Sequence, residues 1–535
     1  MPLTEKFFNT AGPQIATDHY TIAPLQRINW EEISHLIDQK RYFLLHAPRQ
    51  TGKTTTLLSI VEALNNEGRY TALYANIETA QTARSDVAMG VEGICRAIAN
   101  QVELYWGEQR LKTWLNNEGS QESPHQKLQA LLQMWARHHP KPIILLLDEV
   151  DALIGDTLVS LLRQLRAGYT QRPQAFPQSV LLCGVRDIKD YRIHQSDGDI
   201  ITGGSAFNVK AKSLTMGNFT ETECHVLYQQ HTAATGQPFA EAIFPELWLD
   251  TAGQPWLVNA LAHQLTWEEG VLRDRSQPIT LNHYFAARER LIQSRATHLD
   301  QLTDKLKEPR VRGVIAPILA AEDELEIQVP IDDRQYCEDL GLVISRPSLR
   351  ISNRIYQEVI PRELTWMTQT SITNQEQSWY LAPDHRLDMI KLLQAFQQFF
   401  REHSQSWIQR FDYHEAGPQL LLQAFLQRII NGGGRINREY ALGRRRTDLI
   451  IEWPVDEAVG LFGEVQRIVI ELKILRSHLK KTLQQGIEQS RAYADSCGAA
   501  EVHLIIFNRN PKISWGKKIW YRAAAAQNGV HCWGC

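Results

Sequence analysis

The stretch Tyr42-Phe-Leu-Leu-His46, followed by Ala47-Pro-Arg-Gln-Thr-Gly-Lys-Thr54, decides the fold of the first part of this 535-residue chain. The short apolar run predicts a buried strand, and the pattern over residues 54–65 predicts a helix directly after the loop. Backbone N–H groups at the start of such a helix point at an anion, and the helix dipole favours negative charge there. The stretch therefore predicts a phosphate-binding loop between a strand and a helix.

The loop matches the pattern G-x-x-x-x-G-K-[ST] except at its first position, where Ala47 replaces Gly. Ala47 is compatible with the loop if the turn does not require a positive φ at that residue. The pattern predicts that Lys53 reaches the β and γ phosphates, that Thr54 ligates Mg²⁺ and that Gly52 lets the backbone come close. The predicted nucleotide-binding residues of the loop are Ala47, Pro48, Arg49, Gln50, Thr51, Gly52, Lys53, Thr54 and Thr55.

A second segment, Ile143-Ile-Leu-Leu-Leu-Asp148-Glu149, is an apolar strand that ends in two acids. Such an ending predicts that Asp148 lies near the Mg²⁺ ion and that Glu149 polarises the attacking water. Both segments occur in the expected order, and each stands at the end of a predicted strand. Together they predict a nucleoside triphosphate site with ATP and Mg²⁺ as cofactors.

Apolar strands alternate with amphipathic helices from residue 41 to about residue 185, which predicts a parallel sheet covered by helices. This region resembles the P-loop ATPases of the AAA+ and STAND kind. The resemblance implies a sensor of the γ-phosphate at Arg186, a Gly-x-Pro element ending at Pro255 and the segment Asp18-His19-Tyr20 lying against the adenine. The alternatives are a structural arginine at position 186 and an ordinary helix start at Pro255.

A second group of candidate site residues lies near the end of the chain, on two predicted strands. One carries Asp448 and the other carries Glu471, Leu472 and Lys473. Because side chains alternate along a strand, Glu471 and Lys473 share a face. Asp448 and Glu471 on a hairpin can aim at one point and bind Mg²⁺, with the backbone carbonyl of Leu472 as a further ligand. Such a metal would activate water, and Lys473 would orient the nucleophile or neutralise the developing charge.

These residues, together with Gln489-x-x-x-Tyr493 on the predicted helix that follows, resemble the PD-(D/E)xK nuclease superfamily over about the last 120 residues of the chain. The resemblance implies that Asp448, Glu471, Lys473, Gln489 and Tyr493 are catalytic. It also implies an additional acidic metal ligand on the preceding helix, for which the candidates are Glu415 and its rival Glu439. Thr447 stands where such nucleases often have Pro. The alternative interpretation is a set of solvated residues at strand edges.

Charge is unevenly distributed along the chain, whose net charge is −3. Residues 380–535 contain 21 Lys and Arg against 15 Asp and Glu, whereas the remaining residues contain 36 against 45. A basic segment on an acidic chain suggests a polyanionic partner for that segment. The resemblance to nucleases implies that this partner is nucleic acid, with DNA preferred. The triple arginine at 444–446 is placed to contact phosphates, or forms a solvated turn.

The composition is that of a globular protein, with 43% hydrophobic and 22% charged residues. No apolar run reaches the ~18 to 20 residues of a membrane helix, and the start of the chain lacks a secretory pattern. We therefore expect a cytoplasmic protein without a membrane partner. The seven scattered cysteines do not suggest a disulfide framework, and the pair Cys532-Trp-Gly-Cys535 is interpreted as reduced thiols on a terminal strand.

The expected fold is α/β with three domains: a P-loop parallel-sheet ATPase core over residues 1–206, a helical and winged-helix-like lid over 207–365, and an α/β PD-(D/E)xK nuclease-like domain over 379–535. Residues 366–378 are the predicted linker. The functional hypothesis is ATP binding and hydrolysis coupled to Mg²⁺-dependent cleavage of DNA, in defence or control of mobile DNA, and a homo-oligomer fits such ATPases. The alternative is a nucleotide-switched signalling or scaffold ATPase whose C-terminal domain binds nucleic acid without cutting it.

Overall fold

The computed structural model describes residues 5–187, 192–194, 200–202, 207–294, 304–320, 328–371, 380–410, 417–430, 434–442, 445–456, 463–475, 478–510, 512–524 and 529–535. The chain forms two compact units. The first comprises Met1–Ala287 and Asp339–Gly341, and the second comprises Arg288–Glu338 and Leu342–Cys535. The domain boundaries inferred from the sequence stay predictions.

The first unit is built on a five-stranded sheet with the order β2-β3-β4-β1-β7, in which all neighbours are parallel. A separate antiparallel pair, β5 and β6, precedes the last strand. The strands are β1 (Tyr42–His46), β2 (Thr71–Asn76), β3 (Ile143–Asp148), β4 (Ser179–Gly184), β5 (Arg192–His194), β6 (Ile200–Thr202) and β7 (Lys210–Thr215). Strands β1 to β4 are almost entirely buried, as expected for parallel strands covered on both faces. The predicted parallel sheet is confirmed.

Strand β7 is the one member of this sheet that the sequence analysis did not predict. Its sequence, Lys-Ala-Lys-Ser-Leu-Thr, is polar and its residues are only partly buried or exposed. It pairs with β1 at the edge of the sheet, where one side of the strand faces no neighbour in the sheet. Lysines on an edge strand discourage further pairing, but they also remove the apolar pattern by which a strand is recognised.

Helices cover this sheet and form the part of the unit that follows it. They are α1 (Trp30–Asp38), α2 (Lys53–Glu67), α3 (Val87–Trp106), α4 (Arg110–Asn116), α5 (Lys127–His138), α6 (Gly155–Ala167), α7 (Glu221–Thr235), α8 (Ile243–Thr251), α9 (Pro255–His263) and α10 (Leu281–Gln293). Helix α9 starts with Pro255 in its first turn, where a missing N–H costs nothing, and the Gln254 side chain accepts from the Leu257 N–H at 2.6 Å. The Gly-x-Pro element is thus a capped helix start.

The second unit contains a six-stranded mixed sheet with the order β10-β11-β12-β13-β15-β14. Its members are β10 (Arg435–Leu442), β11 (Arg445–Pro454), β12 (Val465–Ile474), β13 (Glu501–Phe507), β14 (Trp520–Arg522) and β15 (His531–Gly534), and a small antiparallel pair is formed by β8 (Val343–Ile344) and β9 (Arg350–Ile351). Pairs β12/β13 and β13/β15 are parallel, and the others in the large sheet are antiparallel. Cys532 and Cys535 are buried free thiols at its last strand.

Helices of the second unit are α11 (Pro309–Ala320), α12 (Ile331–Asp339), α13 (Arg354–Ser371), α14 (Met389–Arg410), α15 (Gly417–Ile430), α16 (Leu479–Cys497) and α17 (Trp515–Lys518). Helix α13 includes the first residues of the predicted linker, and the rest of that segment lies outside the described residues. Phe396 of α14 and Leu422 of α15 share a core with Ile470 of β12. Leu483 and Tyr493 of α16 share a second core with Val469. Odd and even positions of β12 thus lie on opposite faces of the sheet.

Candidate functional site

The predicted phosphate loop joins β1 to α2 and has the backbone geometry that its sequence requires. Gly52 has φ +92° and caps α2, and Gln50 also has a positive φ of 57°. A side chain at position 52 would be strained at this φ, and its Cβ would lie 2.9 Å from Nη1 of Arg27. Ala47 does not have a positive φ, which explains why alanine is accepted at the first position of the motif.

The N-terminus of α2 presents the anion-binding end of the helix. Among the described residues, no side chain caps this terminus, so the first N–H groups of the helix are left to a ligand or to water. The Lys53 side chain is buried, and its Nζ donates to the carbonyl oxygens of Ala47 and Pro48, at 3.0 Å each. The ammonium group therefore lies inside the loop, next to the position that a bound phosphate would occupy.

Asp148 ends strand β3 beside the loop and is completely buried. Its Oδ2 accepts from Thr54 Oγ1 at 2.8 Å and from the Tyr74 hydroxyl at 3.1 Å, while its Oδ1 accepts from the Glu149 N–H at 2.9 Å. The parallel sheet produces this meeting, because the carboxyl ends of β1 and β3 lie at the same edge. The structure thus brings the predicted metal ligands Thr54 and Asp148 together.

Glu149 follows Asp148 in a left-handed backbone conformation, with φ 59° and ψ 38°. For a residue other than Gly, Asn or Asp this conformation is uncommon, and strain of this kind is concentrated at functional sites. Burial raises the pKa of the Glu149 carboxyl, and the nearby charges of Asp151 and Asp148 raise it further. A carboxylate with a raised pKa is a better proton acceptor than an ordinary glutamate.

The segment after β4 carries the predicted sensor. Asp151 Oδ1 accepts from the Val185 N–H at 3.2 Å, which ties the end of β4 to the segment after β3. Arg186 is half-buried directly after this contact. Its neighbour Asp187 is buried and accepts from Lys210 and from Ser213 Oγ on β7. Arg186 thus lies at the same edge of the sheet as the phosphate loop.

A cleft with a volume of about 110 Å³ continues from the phosphate loop. Gln50, Thr51 and Gly52 line one end, and Pro255, Trp256 and Asn259 of α9 line another part. The N-terminal segment also contributes to the wall, and Trp256 Nε1 donates to the Thr10 carbonyl at 2.9 Å. Small molecules bind preferentially in concave clefts, and this cleft is contiguous with the loop.

Only part of the segment predicted to lie against adenine lines this cleft. Tyr20 is among the lining residues, whereas Asp18 and His19 are not. His19 is buried elsewhere: its Nδ1 accepts from the Ile15 N–H at 2.8 Å, and its ring packs edge-on against Phe7 at 4.6 Å. His19 therefore supports the N-terminal segment, and Tyr20 is the residue of this stretch that a ligand in the cleft can contact.

Arg27 is a residue of this site that the sequence analysis missed. Its Nη1 donates to the Thr51 carbonyl at 2.7 Å, its Nη2 donates to the Gly217 carbonyl at 2.8 Å, and its guanidinium lies 4.5 Å from the centre of the Phe219 ring. Burial lowers the pKa of Arg27 to about 10, so the group stays charged at neutral pH. It fixes the phosphate loop to the segment after β7, and no local motif marks it.

The second group of candidate site residues lies in the other unit, on β12 and α16. Glu471 and Lys473 are 3% and 8% exposed, and Lys473 Nζ lies 2.9 Å from Glu471 Oε1. Both stand at odd positions of β12, on the face that packs against α16. Replacing a buried ion pair by apolar residues of similar size is often neutral for stability, and ionisable groups with buried partners are frequent at functional sites.

Helix α16 carries the remaining predicted residues of this face. Tyr493 is buried in the core between α16 and the sheet. Gln489, one turn earlier, is half-buried, and its Oε1 is buried without a hydrogen-bond partner among the described residues. Positions four apart lie on one side of a helix, so both residues are on the side that faces Glu471 and Lys473.

The other predicted ligands are only partly described. Leu449 pairs with Ile470 across the antiparallel β11/β12 ladder, so the backbone of Asp448 lies next to that of Glu471. Leu472 follows Glu471 directly on β12. Glu415 and the side chains of Asp448 and Glu439 lie outside what the structure describes. Among described side chains, no group of three or more His, Cys, Asp or Glu residues forms a metal cluster.

No described helix is both long and apolar enough to cross a membrane.

No curated protein sequence matches the chain. Among solved structures, a Walker-type ATPase of Pyrococcus abyssi is 12% identical, with a match that covers 66% of this chain and 99% of that one at a TM-score of 0.46. Cdc6p from Pyrobaculum aerophilum is 13% identical over 76% and 93% of the two chains, with a TM-score of 0.36.

The RuvB Holliday junction branch migration motor of Thermotoga maritima is also similar, with 13% identity over 62% of this chain and 95% of that one and a TM-score of 0.32. The family model of the AAA domain matches residues 36–191. That span contains β1 to β4, the loop before α2 and the acidic end of β3. Residues 36–191 are therefore an AAA domain with a P-loop ATPase core.

Proposed function

We propose that the chain binds and hydrolyses ATP at the loop 47–54, and that its C-terminal part cleaves nucleic acid, with DNA as the substrate, in a Mg²⁺-dependent reaction under the control of ATP. For the ATP site, the supporting observation is the contact between Thr54 and Asp148 directly beside the open N-terminus of α2. For the cleavage site, it is the buried Glu471–Lys473 pair on the α16 face of β12.

The oxygen atoms of Thr54 and Asp148 are hard donors 2.8 Å apart, which fits Mg²⁺ at the ATP site. When bound, this ion would neutralise charge on the β and γ phosphates. Lys53 binds the phosphates, Tyr74 and the Glu149 N–H hold the Asp148 carboxylate in place, and Glu149 orients the attacking water and accepts its proton. Arg186 is the proposed sensor of the γ-phosphate, and Pro255 belongs to the wall beside the nucleotide.

At the second site, Glu471, Asp448 and the Leu472 carbonyl are the proposed oxygen ligands of Mg²⁺, with Glu415 as an additional ligand. A bound ion would supply an activated water for attack on a phosphodiester. Lys473 orients that water or neutralises the charge that develops on the phosphate, and Gln489 and Tyr493 position the strand-side residues from α16. Arg445 and Arg446 stand at the start of β11, where phosphate contacts would hold the DNA.

The decisive experiment measures cleavage of plasmid and single-stranded DNA with Mg²⁺ or Mn²⁺, with and without ATP. We expect the wild-type protein to cut, Asp448→Ala to lose cleavage while still binding ATP, and Lys53→Ala to cut with an altered response to ATP. Glu488→Gln, an exposed change on α16, is the matched control. If the wild type shows no metal-dependent cleavage but assembles in response to nucleotide, the proposal is wrong and the scaffold hypothesis takes its place.

The dependence of the rate of ATP hydrolysis on pH gives a second prediction, for the acid limb of the profile of kcat against pH. The deprotonated Glu149 is the active form, so the rate rises as pH increases through its pKa, which burial and the charges of Asp151 and Asp148 raise. Asp151→Asn removes one of these charges but keeps the oxygen that accepts from Val185. We expect the acid limb of kcat to move to lower pH in Asp151→Asn and to stay in place in the exposed variant Asp274→Asn. An unmoved limb in Asp151→Asn would contradict the role of Glu149.

A further inference from the structure

Asn259, in the second turn of α9, carries a buried polar atom that has no hydrogen-bond partner in the described part of the fold. The residue lines the cleft and is only 4% exposed. Its Oδ1 is buried and has no hydrogen-bond partner among the described residues. A buried acceptor without a partner is destabilising, so such an atom on a residue that lines a cleft beside a ligand site requires an explanation.

The orientation of this amide is fixed by its other end. Asn259 Nδ2 donates to the Pro255 carbonyl at 2.8 Å, one turn earlier in α9. If the amide were flipped, its oxygen would face that carbonyl oxygen, and two acceptors would meet. The unsatisfied atom is therefore the oxygen, and the group that satisfies it must be a hydrogen-bond donor.

The position of Asn259 within the cleft indicates which part of a nucleotide would meet it. The phosphates belong at the N-terminus of α2, where Gln50, Thr51 and Gly52 line the cleft. The base would then extend along the cleft toward α9, where the aromatic side chains of Tyr20, Phe219 and Trp256 form part of the wall. A base stacked among aromatic rings presents only its edge to polar side chains.

We propose that Asn259 determines base specificity by accepting a hydrogen bond from the 6-amino group of adenine. This inference rests on the proposed ATP binding. Adenine carries a donor at this position, whereas guanine and hypoxanthine carry a carbonyl acceptor, which would face the Asn259 oxygen and leave both atoms unpaired. The same side chain thus favours ATP and disfavours 6-oxo nucleotides.

The test compares the dissociation constants of ATP, inosine triphosphate and purine riboside triphosphate, which lacks any substituent at carbon 6. For the wild-type full chain we expect ATP to bind about tenfold or more tightly than either analogue. In Asn259→Ala and Asn259→Ser the ratio should fall toward one, because neither variant has an amide oxygen at this position. Serine can still donate to the carbonyl four residues earlier, so it preserves the helix contact if alanine impairs folding.

The ratio between nucleotides is measured on one protein at a time, so a loss of active protein does not change it. Asn282→Ala, an exposed change on α10, is the matched control and should keep the wild-type ratio. An unchanged ratio in both Asn259 variants would overturn the inference. A wild-type protein that binds none of the three nucleotides would overturn the proposed function itself.

Discussion

Replacing Glu149 by Gln is expected to lower the rate of ATP hydrolysis by about 10²- to 10⁴-fold, the usual contribution of a positioned proton acceptor. Gln keeps the size and hydrogen-bonding shape of the side chain but cannot take a proton. ATP should still bind, because the loop, Lys53 and the Thr54–Asp148 contact are unchanged. The variant should therefore hold ATP without turning it over.

Phosphate release and equilibrium binding of a fluorescent ATP analogue separate the two effects. Lys53→Ala provides the contrast, since it should lose binding as well as hydrolysis, while the exposed Glu118→Gln should behave as the wild type. Wild-type hydrolysis in Glu149→Gln would show that another group activates the water. The cleavage assay can then use Glu149→Gln to ask whether bound ATP or its hydrolysis controls the second site.

The largest combined effect on stability and activity is expected at the Glu471–Lys473 pair. Lys473→Met leaves the carboxylate of Glu471 buried without its partner, which should cost about 3–5 kcal/mol of unfolding free energy. The double variant Glu471→Gln with Lys473→Met removes both charges and should recover most of that loss. DNA cleavage should be absent in both, because the proposed mechanism uses Glu471 as a metal ligand together with Lys473.

Urea unfolding of the full chain and the plasmid assay measure these two outcomes. The control is the Arg435–Glu452 pair of the same sheet, whose atoms lie 2.7 Å apart. Removing both of its charges should leave cleavage intact. If the Glu471/Lys473 double variant is stable and still cleaves DNA, the pair serves only the fold.

Much of the ATPase core follows from local sequence patterns. The strand at 143–148 is fully buried, so an uninterrupted apolar run marks it almost to the residue. Gly52 and Lys53 are recognisable because backbone geometry and phosphate charge demand those residue types at fixed positions. The pairing of Glu471 with Lys473 follows from the two-residue period of a strand, and the structure places both side chains on one face.

Other features depend on contacts that no local pattern contains. Arg27 meets Thr51 across 24 positions and Gly217 across 190, and an isolated arginine at the end of a short 3-10 helix gives no sign of either contact. Asn259 is flanked by apolar residues in its helix and is indistinguishable by sequence from a structural amide. The left-handed conformation of Glu149 is likewise imposed by the surrounding structure, because the intrinsic preference of glutamate opposes it.

The contact between Trp256 and the Thr10 carbonyl has a consequence for synthesis of the protein. The two residues are 246 positions apart, yet both belong to the wall of one cleft. The core strands and the phosphate loop leave the ribosome long before α9 does, so the cleft wall stays incomplete while translation continues. We therefore expect tight binding of nucleotide to come late in synthesis, and the newly made sheet must persist without it until Trp256 has left the ribosome.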